Sequence, residues 1–143
     1  MANQGLLKVA MHGATGRMGA RIITLIEQSD DLMLVAALER PDHPKLGQDV
    51  ASLIGLGSMG VPLRAEVDEP VDVVIDFSVP EASLAIGRWC ARHRVALVVG
   101  TTGFDASQRT ELEQLADQIP ILIAANFSKA VNLLFHLVGV AAR

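Results

Sequence analysis

Short apolar runs alternate with helical patterns, a glycine-punctuated turn follows the first run, and a polar cluster closes each of the firmer runs. Together these predict an α/β fold, a parallel sheet with helices on both faces. Leu6, Leu7, Val9 and Met11 form the first strand pattern. Gly13-Ala14-Thr15-Gly16-Arg17-Met18-Gly19 breaks it, and Met18, Ile22, Ile23, Leu25 and Ile26 then recur at helical spacing.

That order of strand, glycine turn and helix N-terminus is the Rossmann-like arrangement for a dinucleotide pyrophosphate. Glycines let phosphate approach the free N–H groups of the first helical turn, so the expected ligand is anionic. The spacing is G-x-x-G-x-x-G rather than G-x-G-x-x-G, and by itself the turn also suits a tight connection with no ligand. Leu32 to Leu38 reads as the second strand, ending at Glu39, 23 residues beyond Gly16. An acidic group there accepts hydrogen bonds from an adenosine ribose. Arg40 follows, and its guanidinium suits a 2′-phosphate, so the pair leaves NADH and NADPH both open.

A Pro-, Gly- and Ser-containing stretch after Arg40 holds a short helix around Val50 to Leu53 and a marginal strand at Val61, Leu63 and Ala65. Val71 to Asp76 is the next buried strand, followed by Phe77-Ser78-Val79-Pro80 and a helix from about Glu81 to His93. Pro80 fits that helix's first turn. Val95 to Val99 is a strand ending at Gly100-Thr101-Thr102-Gly103, Ala106 to Asp117 a helix, and Ile119 to Ala125 the last strand. Asn126-Phe127-Ser128 then precede an apolar helix through Leu133, Leu134, Phe135, Leu137, Val138 and Val140. A helix apolar on several faces either docks on the sheet or leads toward another domain. Gly13–Gly19, Glu39–Arg40, Asp76–Ser78, Gly100–Gly103 and Asn126–Ser128 all follow strand carboxyl ends, where the ligand crevice of an open α/β sheet lies.

The 143 residues, half of them apolar, suffice for one domain and a sizeable core. A net charge of −4, one Trp, four Phe and no Tyr argue against nucleic acid as a partner. Met1 to Gly5 carries no signal-like segment, and no apolar run is long enough to span a bilayer, so no membrane partner is expected. Cys90 is the single cysteine, which fits a reducing compartment and a cytoplasmic protein. No histidine pair has metal-ligand spacing with a supporting carboxylate, so no metal site is expected. His12 reads as a core or turn residue, Cys90 as a packed helix residue, and His93 as a favourable charge at a helix C-terminus. Asp76 and Ser78 suit either a functional role or loop organisation, and the hydroxyls of Thr101 and Thr102 also suit capping of the next helix.

The glycine turn, Glu39-Arg40, Asp76-Phe77-Ser78, Gly100-Thr101-Thr102-Gly103-Phe104 and Ala125-Asn126-Phe127-Ser128, in this order, resemble the dihydrodipicolinate (4-hydroxy-tetrahydrodipicolinate) reductases. The resemblance implies NAD(P)H-dependent reduction of 4-hydroxy-tetrahydrodipicolinate in the diaminopimelate route to lysine. It implies that Gly13, Ala14, Thr15, Gly16, Arg17 and Met18 cradle the pyrophosphate and that Glu39 and Arg40 meet the adenosine ribose. It gives Gly100, Thr101, Thr102, Ala124, Ala125, Asn126 and Phe127 the nicotinamide end. It covers only the nucleotide-binding part of such enzymes: residues 1–128 as that domain, and 129–143 as a helix leading toward a substrate and oligomerisation domain. The family's paired-histidine segment and Ser-Gly-Thr loop do not occur here, so no catalytic residue is assigned to this chain. The family implies a small-molecule substrate and a homo-oligomer, a tetramer, for the full-length enzyme. The reading from another class is a stand-alone dinucleotide-binding or sensor module.

Overall fold

Apolar residues at alternate faces of short strands have to be covered from both sides, and the chain does this with helices before and after a change of winding direction. The computed structural model describes residues 5–143, so Met1 to Gln4, part of the segment read as lacking a signal, lie outside the described residues. In order come β1 (Leu7–His12), α1 (Arg17–Glu27), β2 (Leu32–Leu38), α2 (Val50–Leu53) and β3 (Leu63–Arg64). Then follow β4 (Val73–Asp76), α3 (Pro80–His93), β5 (Ala96–Val99), α4 (Ala106–Gln114), β6 (Ile121–Ile123) and α5 (Lys129–Ala141).

The sheet has six strands in the order β3-β2-β1-β4-β5-β6, and all its paired strands run parallel. The first half winds outward from β1 to β3, and the second half starts again beside β1 and winds the other way. Right-handed crossovers therefore put α1 and α2 on one face and α3 and α4 on the other. Burial agrees. Val9, Met11, Leu34, Ile23 and Ile26 form one cluster with Val50 and Leu63, while Ala10, Val74, Leu97, Val99 and Cys90 form another. Alternation along β1 sends Val9 and Met11 to one layer and Ala10 to the other. Each fully buried Met, Leu or Ile contributes roughly 1.5–3 kcal/mol against leaving it in water.

The differences from the sequence reading lie at element ends. The last strand is three residues rather than seven, because Ile119 and Pro120 approach it from a 3₁₀ turn over Leu115–Asp117 that also shortens α4. The helix after β5 is capped by Asp105, which accepts from the Gln108 amide while the Gln108 side chain accepts from the Asp105 amide. The threonines at 101 and 102 therefore do not cap it. α5 buries none of its residues: of the two alternatives for this helix, docking on the sheet does not occur. No described helix is long and apolar enough to cross a membrane.

Candidate functional site

Two strands that start in opposite winding directions leave a crevice above their carboxyl ends, here between β1 and β4. The turn leaving β1 is built tightly under it. Gly13 has φ +77°, and a Cβ there would lie 2.4 Å from the Phe77 carbonyl oxygen, so only glycine fits. The amides of Gly13 and Ala14 both donate to the Leu38 carbonyl, at 3.0 and 3.1 Å, and the Gly16 amide donates back to Gly13. A Cβ on Gly19 would stand 2.1 Å from the Gly13 carbonyl oxygen, which is how closely α1 lies on the turn.

Gly16 N-caps α1 without any side-chain cap, and no acidic residue occupies the first helical turn. The first-turn amides of Arg17 and Met18 have no intrahelical acceptor, and the helix dipole adds partial positive charge at that point. Both residues are exposed, as is Gly16, whereas Gly13 and Ala14 are buried. Within the predicted phosphate cradle, the first four residues shape the turn and the last two present the free donors.

At the end of β2, Glu39 is tied to the same turn. Its Oε1 accepts from the Thr15 amide at 3.1 Å and from the Thr15 hydroxyl at 2.7 Å. Arg40 pairs loosely with Asp42 at 3.3 Å, both side chains being largely exposed. A groove of about 800 Å³ runs past these groups and is lined by Gly13, Gly16, Glu39, Arg40, Phe77 and Ser78, continuing along α3 to Trp89. It joins the glycine turn, the acidic strand end and the β4–α3 connection in one depression.

The centre of the crevice is held by Asp76, which is fully buried at the end of β4. His12 Nδ1 lies 2.7 Å from its carboxylate, and the hydroxyls of Ser78 and Thr101 donate to it at 2.6 and 2.7 Å; Ser83 donates to it as well. Burial by itself would raise the Asp76 pKa, yet the hydrogen bond and charge of His12 and the serine hydroxyls hold it below the ordinary carboxylate value. Thr101 accepts from the Ser78 amide at 2.8 Å while donating to Asp76, so its hydroxyl fastens two crevice loops together. Thr102 is exposed beside it. Cys90 is fully buried on α3, and burial, followed by the nearby Asp76 charge, pushes its thiol up to about 12. It is the packed residue expected.

Phe77 links this centre to the end of β6. A Cβ on Gly100 would be 2.2 Å from the Phe77 ring, and the Phe77 and Phe127 rings sit 5.9 Å apart, tilted by 54°. Asn126 accepts the Ser128 amide through Oδ1 at 2.8 Å, leaving its buried Nδ2 without a partner in the protein. Such a donor needs an acceptor from outside the protein, a ligand or an ordered water. Ser128 N-caps α5 through the Val131 amide, and Lys129 stands in the exposed first turn. The sequence patterns gave Asp76 no definite role, passed over Ser83, and did not connect Thr15 with Glu39. A buried Asp closing an apolar strand, with Ser and Thr at the neighbouring strand ends, was the available signal. Among the described residues no group of three or more metal-ligating side chains converges.

The strand order, the uncapped helix N-terminus behind a glycine turn and the carboxylate closing the second strand define a Rossmann-like domain of the dinucleotide-binding type. The chain belongs to the dihydrodipicolinate reductase N-terminal domain family, whose model, described as "Dihydrodipicolinate reductase, N-terminus", matches residues 7–127. It is 42% identical over 141 residues to a 4-hydroxy-tetrahydrodipicolinate reductase of Syntrophotalea carbinolica, and 39% identical to one of Citrifermentans bemidjiense. Both alignments take in 96% of this chain and 53% of the relative, so the chain spans about half the length of the curated relatives it matches. A solved dipicolinate-bound dihydrodipicolinate reductase from Paenisporosarcina sp. TG-14 superposes with a TM-score of 0.74 at 22% identity. That match covers 96% of this chain and 54% of the solved one, and it supports the fold.

Proposed function

We propose that this chain is the dinucleotide-binding part of an NAD(P)H-dependent reductase that converts 4-hydroxy-tetrahydrodipicolinate to tetrahydrodipicolinate in the diaminopimelate route to lysine. The observation that carries the reading is the alignment, along one sheet edge, of the open α1 N-terminus, Glu39 and the unsatisfied Asn126 amide. Along the strand order β2, β1, β6 these are an acceptor for the adenosine ribose, donors for the pyrophosphate and a donor for the carboxamide, the order in which a dinucleotide carries them. The bound nicotinamide supplies the hydride.

The chain's own residues bind and orient. The Arg17 and Met18 amides take the pyrophosphate, Glu39 takes ribose hydroxyls, and Arg40 is placed for a 2′-phosphate. Asn126 Nδ2 donates to the carboxamide oxygen, with the backbone of Gly100–Thr102 and Ala124–Ala125 alongside. Phe127, backed by Phe77, shields one side of the ring from water. Thr101 acts through Asp76 and the Ser78 amide, holding the β4–α3 and β5–α4 loops at a fixed separation.

In this reading residues 1–128 form the nucleotide-binding domain, and the helix over 129–143 packs against the half of the relatives' length outside this sequence. That half supplies the substrate carboxylate anchors, the proton donor and the contacts of a cytoplasmic homo-oligomer, a tetramer by resemblance. Calorimetric titration of the folded chain with NADH and NADPH tests the binding part, and a micromolar to sub-millimolar dissociation constant for at least one is expected. Absence of heat with either at millimolar concentration overturns it. The chain alone should not oxidise either nucleotide in the presence of freshly generated substrate, because in this reading the proton donor belongs to the half of the relatives' length outside this sequence.

A further inference from the structure

We propose that Thr15 is a specificity-determining residue of the dinucleotide site, fixing Glu39 as a ribose acceptor and so favouring NADH over NADPH; this rests on the dinucleotide-binding reading above. Thr15 reaches Glu39 Oε1 twice, through its amide at 3.1 Å and its hydroxyl at 2.7 Å. Both donors sit in the glycine turn, itself pinned to the end of β2 by the Gly13 and Ala14 amides on the Leu38 carbonyl. Glu39 Oε2 carries only the longer contact from the Arg40 amide, at 3.4 Å, and keeps acceptor capacity in a residue that lines the groove. A 2′-hydroxyl donates to such an oxygen. A 2′-phosphate has no proton to give there and brings negative charge against a fixed carboxylate.

To admit that phosphate, Glu39 has to swing aside, which breaks both bonds from Thr15 and leaves a half-buried amide and hydroxyl to find new acceptors. The groups beside Glu39 able to favour a phosphate are Arg40, held only by an exposed pairing with Asp42, and His43, whose Nε2 lies 3.5 Å from the Thr15 hydroxyl, while Arg92 lines the same groove from α3. Glu66 adds a second carboxylate to the same groove. Arg40 and His43 keep NADPH binding accessible once Glu39 yields; Thr15 sets how readily it yields. The side chain is therefore a positioning group whose effect appears as a ratio between two cofactors rather than as binding of either alone.

The experiment measures NADH and NADPH dissociation constants for the full chain and its variants by calorimetry, with folding checked by circular dichroism. Thr15→Val keeps the volume and removes the hydroxyl, and Thr15→Ser restores a donor. The wild-type chain should bind NADH more tightly, Thr15→Val should lower the NADPH-to-NADH ratio of dissociation constants about fivefold, and Thr15→Ser should return it toward the wild-type ratio. In a Glu39→Ala background, where Thr15 has no side-chain acceptor at position 39, the Thr15→Val change should leave the ratio unmoved. Thr15→Ala gives the same comparison if the valine variant does not fold. A ratio unchanged within about twofold in the hydroxyl-free variants, or a wild-type chain that prefers NADPH, overturns the proposal. Folded wild-type protein that binds neither nucleotide overturns the dinucleotide reading instead, and with it this proposal, which is a different result from two nucleotides bound at an unaltered ratio.

Discussion

Asp76 is one carboxylate serving four partners, three at the ends of β1, β4 and β5 and Ser83 in α3, and its removal should loosen the whole crevice. In Asp76→Asn the amide nitrogen faces hydroxyls already acting as donors, and His12 loses its charged acceptor. The expected loss is about 3 kcal/mol of folding stability, of the kind seen when one partner of a buried pair is removed. The pH dependence has a definite sign. The Asp76 pKa is lowered in the folded chain, so its contribution is fully present above the ordinary carboxylate value and is lost as pH falls through the lower folded value. Urea unfolding should show a wild-type to Asp76→Asn gap that holds from neutral pH down to about 4 and narrows below it. A gap that widens with acid would mean the carboxylate is protonated in the native state. The residue scale is also where the sequence was least legible. Glu39 and the glycines stand at fixed offsets from one another, but Thr15 and Glu39 meet across 24 positions, and Asp76 and Thr101 across 25. Nothing in local periodicity encodes such a pairing. His12 shows the same limit: its placement at a strand end was readable, its carboxylate partner was not.

At the scale of elements, β1, the glycine turn and α1 act as one unit, and Gly19 sets how closely the helix lies on the turn. With a Cβ placed 2.1 Å from a backbone oxygen, neither side can yield by a rotamer change, so Gly19→Ala has to push the α1 N-terminus away. We expect about 1–3 kcal/mol of destabilisation from this overpacking. A weaker NADH affinity should accompany it, because the Arg17 and Met18 amides move with the helix end. Gly139→Ala, at a helix position where nothing lies near a Cβ, is the matched control and should leave affinity unchanged and not lower stability, since Ala is the better helix former. Equal effects of the two substitutions would remove the packing argument. Elements were the most legible part of the sequence, since a period of two or of 3.6 is local information. Their ends were less so: Ile119 reads as a strand residue by composition, yet it is drawn into the core by the 3₁₀ turn before β6 and packs with Val95 and Leu97. Asp105 as the cap of α4 was readable from Asp105 and Gln108 three residues apart, and the threonines drew attention from it.

The whole molecule combines a well-buried sheet with one helix that has no cover. Leu133, Leu134, Phe135, Leu137, Val138 and Val140 on α5 are each more than half exposed. Fully burying one such side chain is worth roughly 1.5–3 kcal/mol, so a few of them at a helix–helix contact can offset the entropy of association. The sequence made this dilemma visible, because the helix is apolar on several faces, and the structure resolves it by leaving α5 off the sheet. The physical consequence is self-association of this chain in dilute buffer through α5. Leu134 and Val138 lie one helical turn apart on a shared face. Replacing them as Leu134→Glu and Val138→Lys removes apolar area while adding an ion pair at a favourable spacing, so the helix itself is not weakened. Sedimentation velocity over a concentration series should show the wild-type chain moving from monomer to larger species as concentration rises, with the double variant remaining monomeric. NADH affinity should be the same for both, since neither side chain lines the groove between the glycine turn and α3. A wild-type chain that stays monomeric at about 100 μM, well above the micromolar dissociation constants of ordinary interfaces, would show that the exposed face of α5 does not associate.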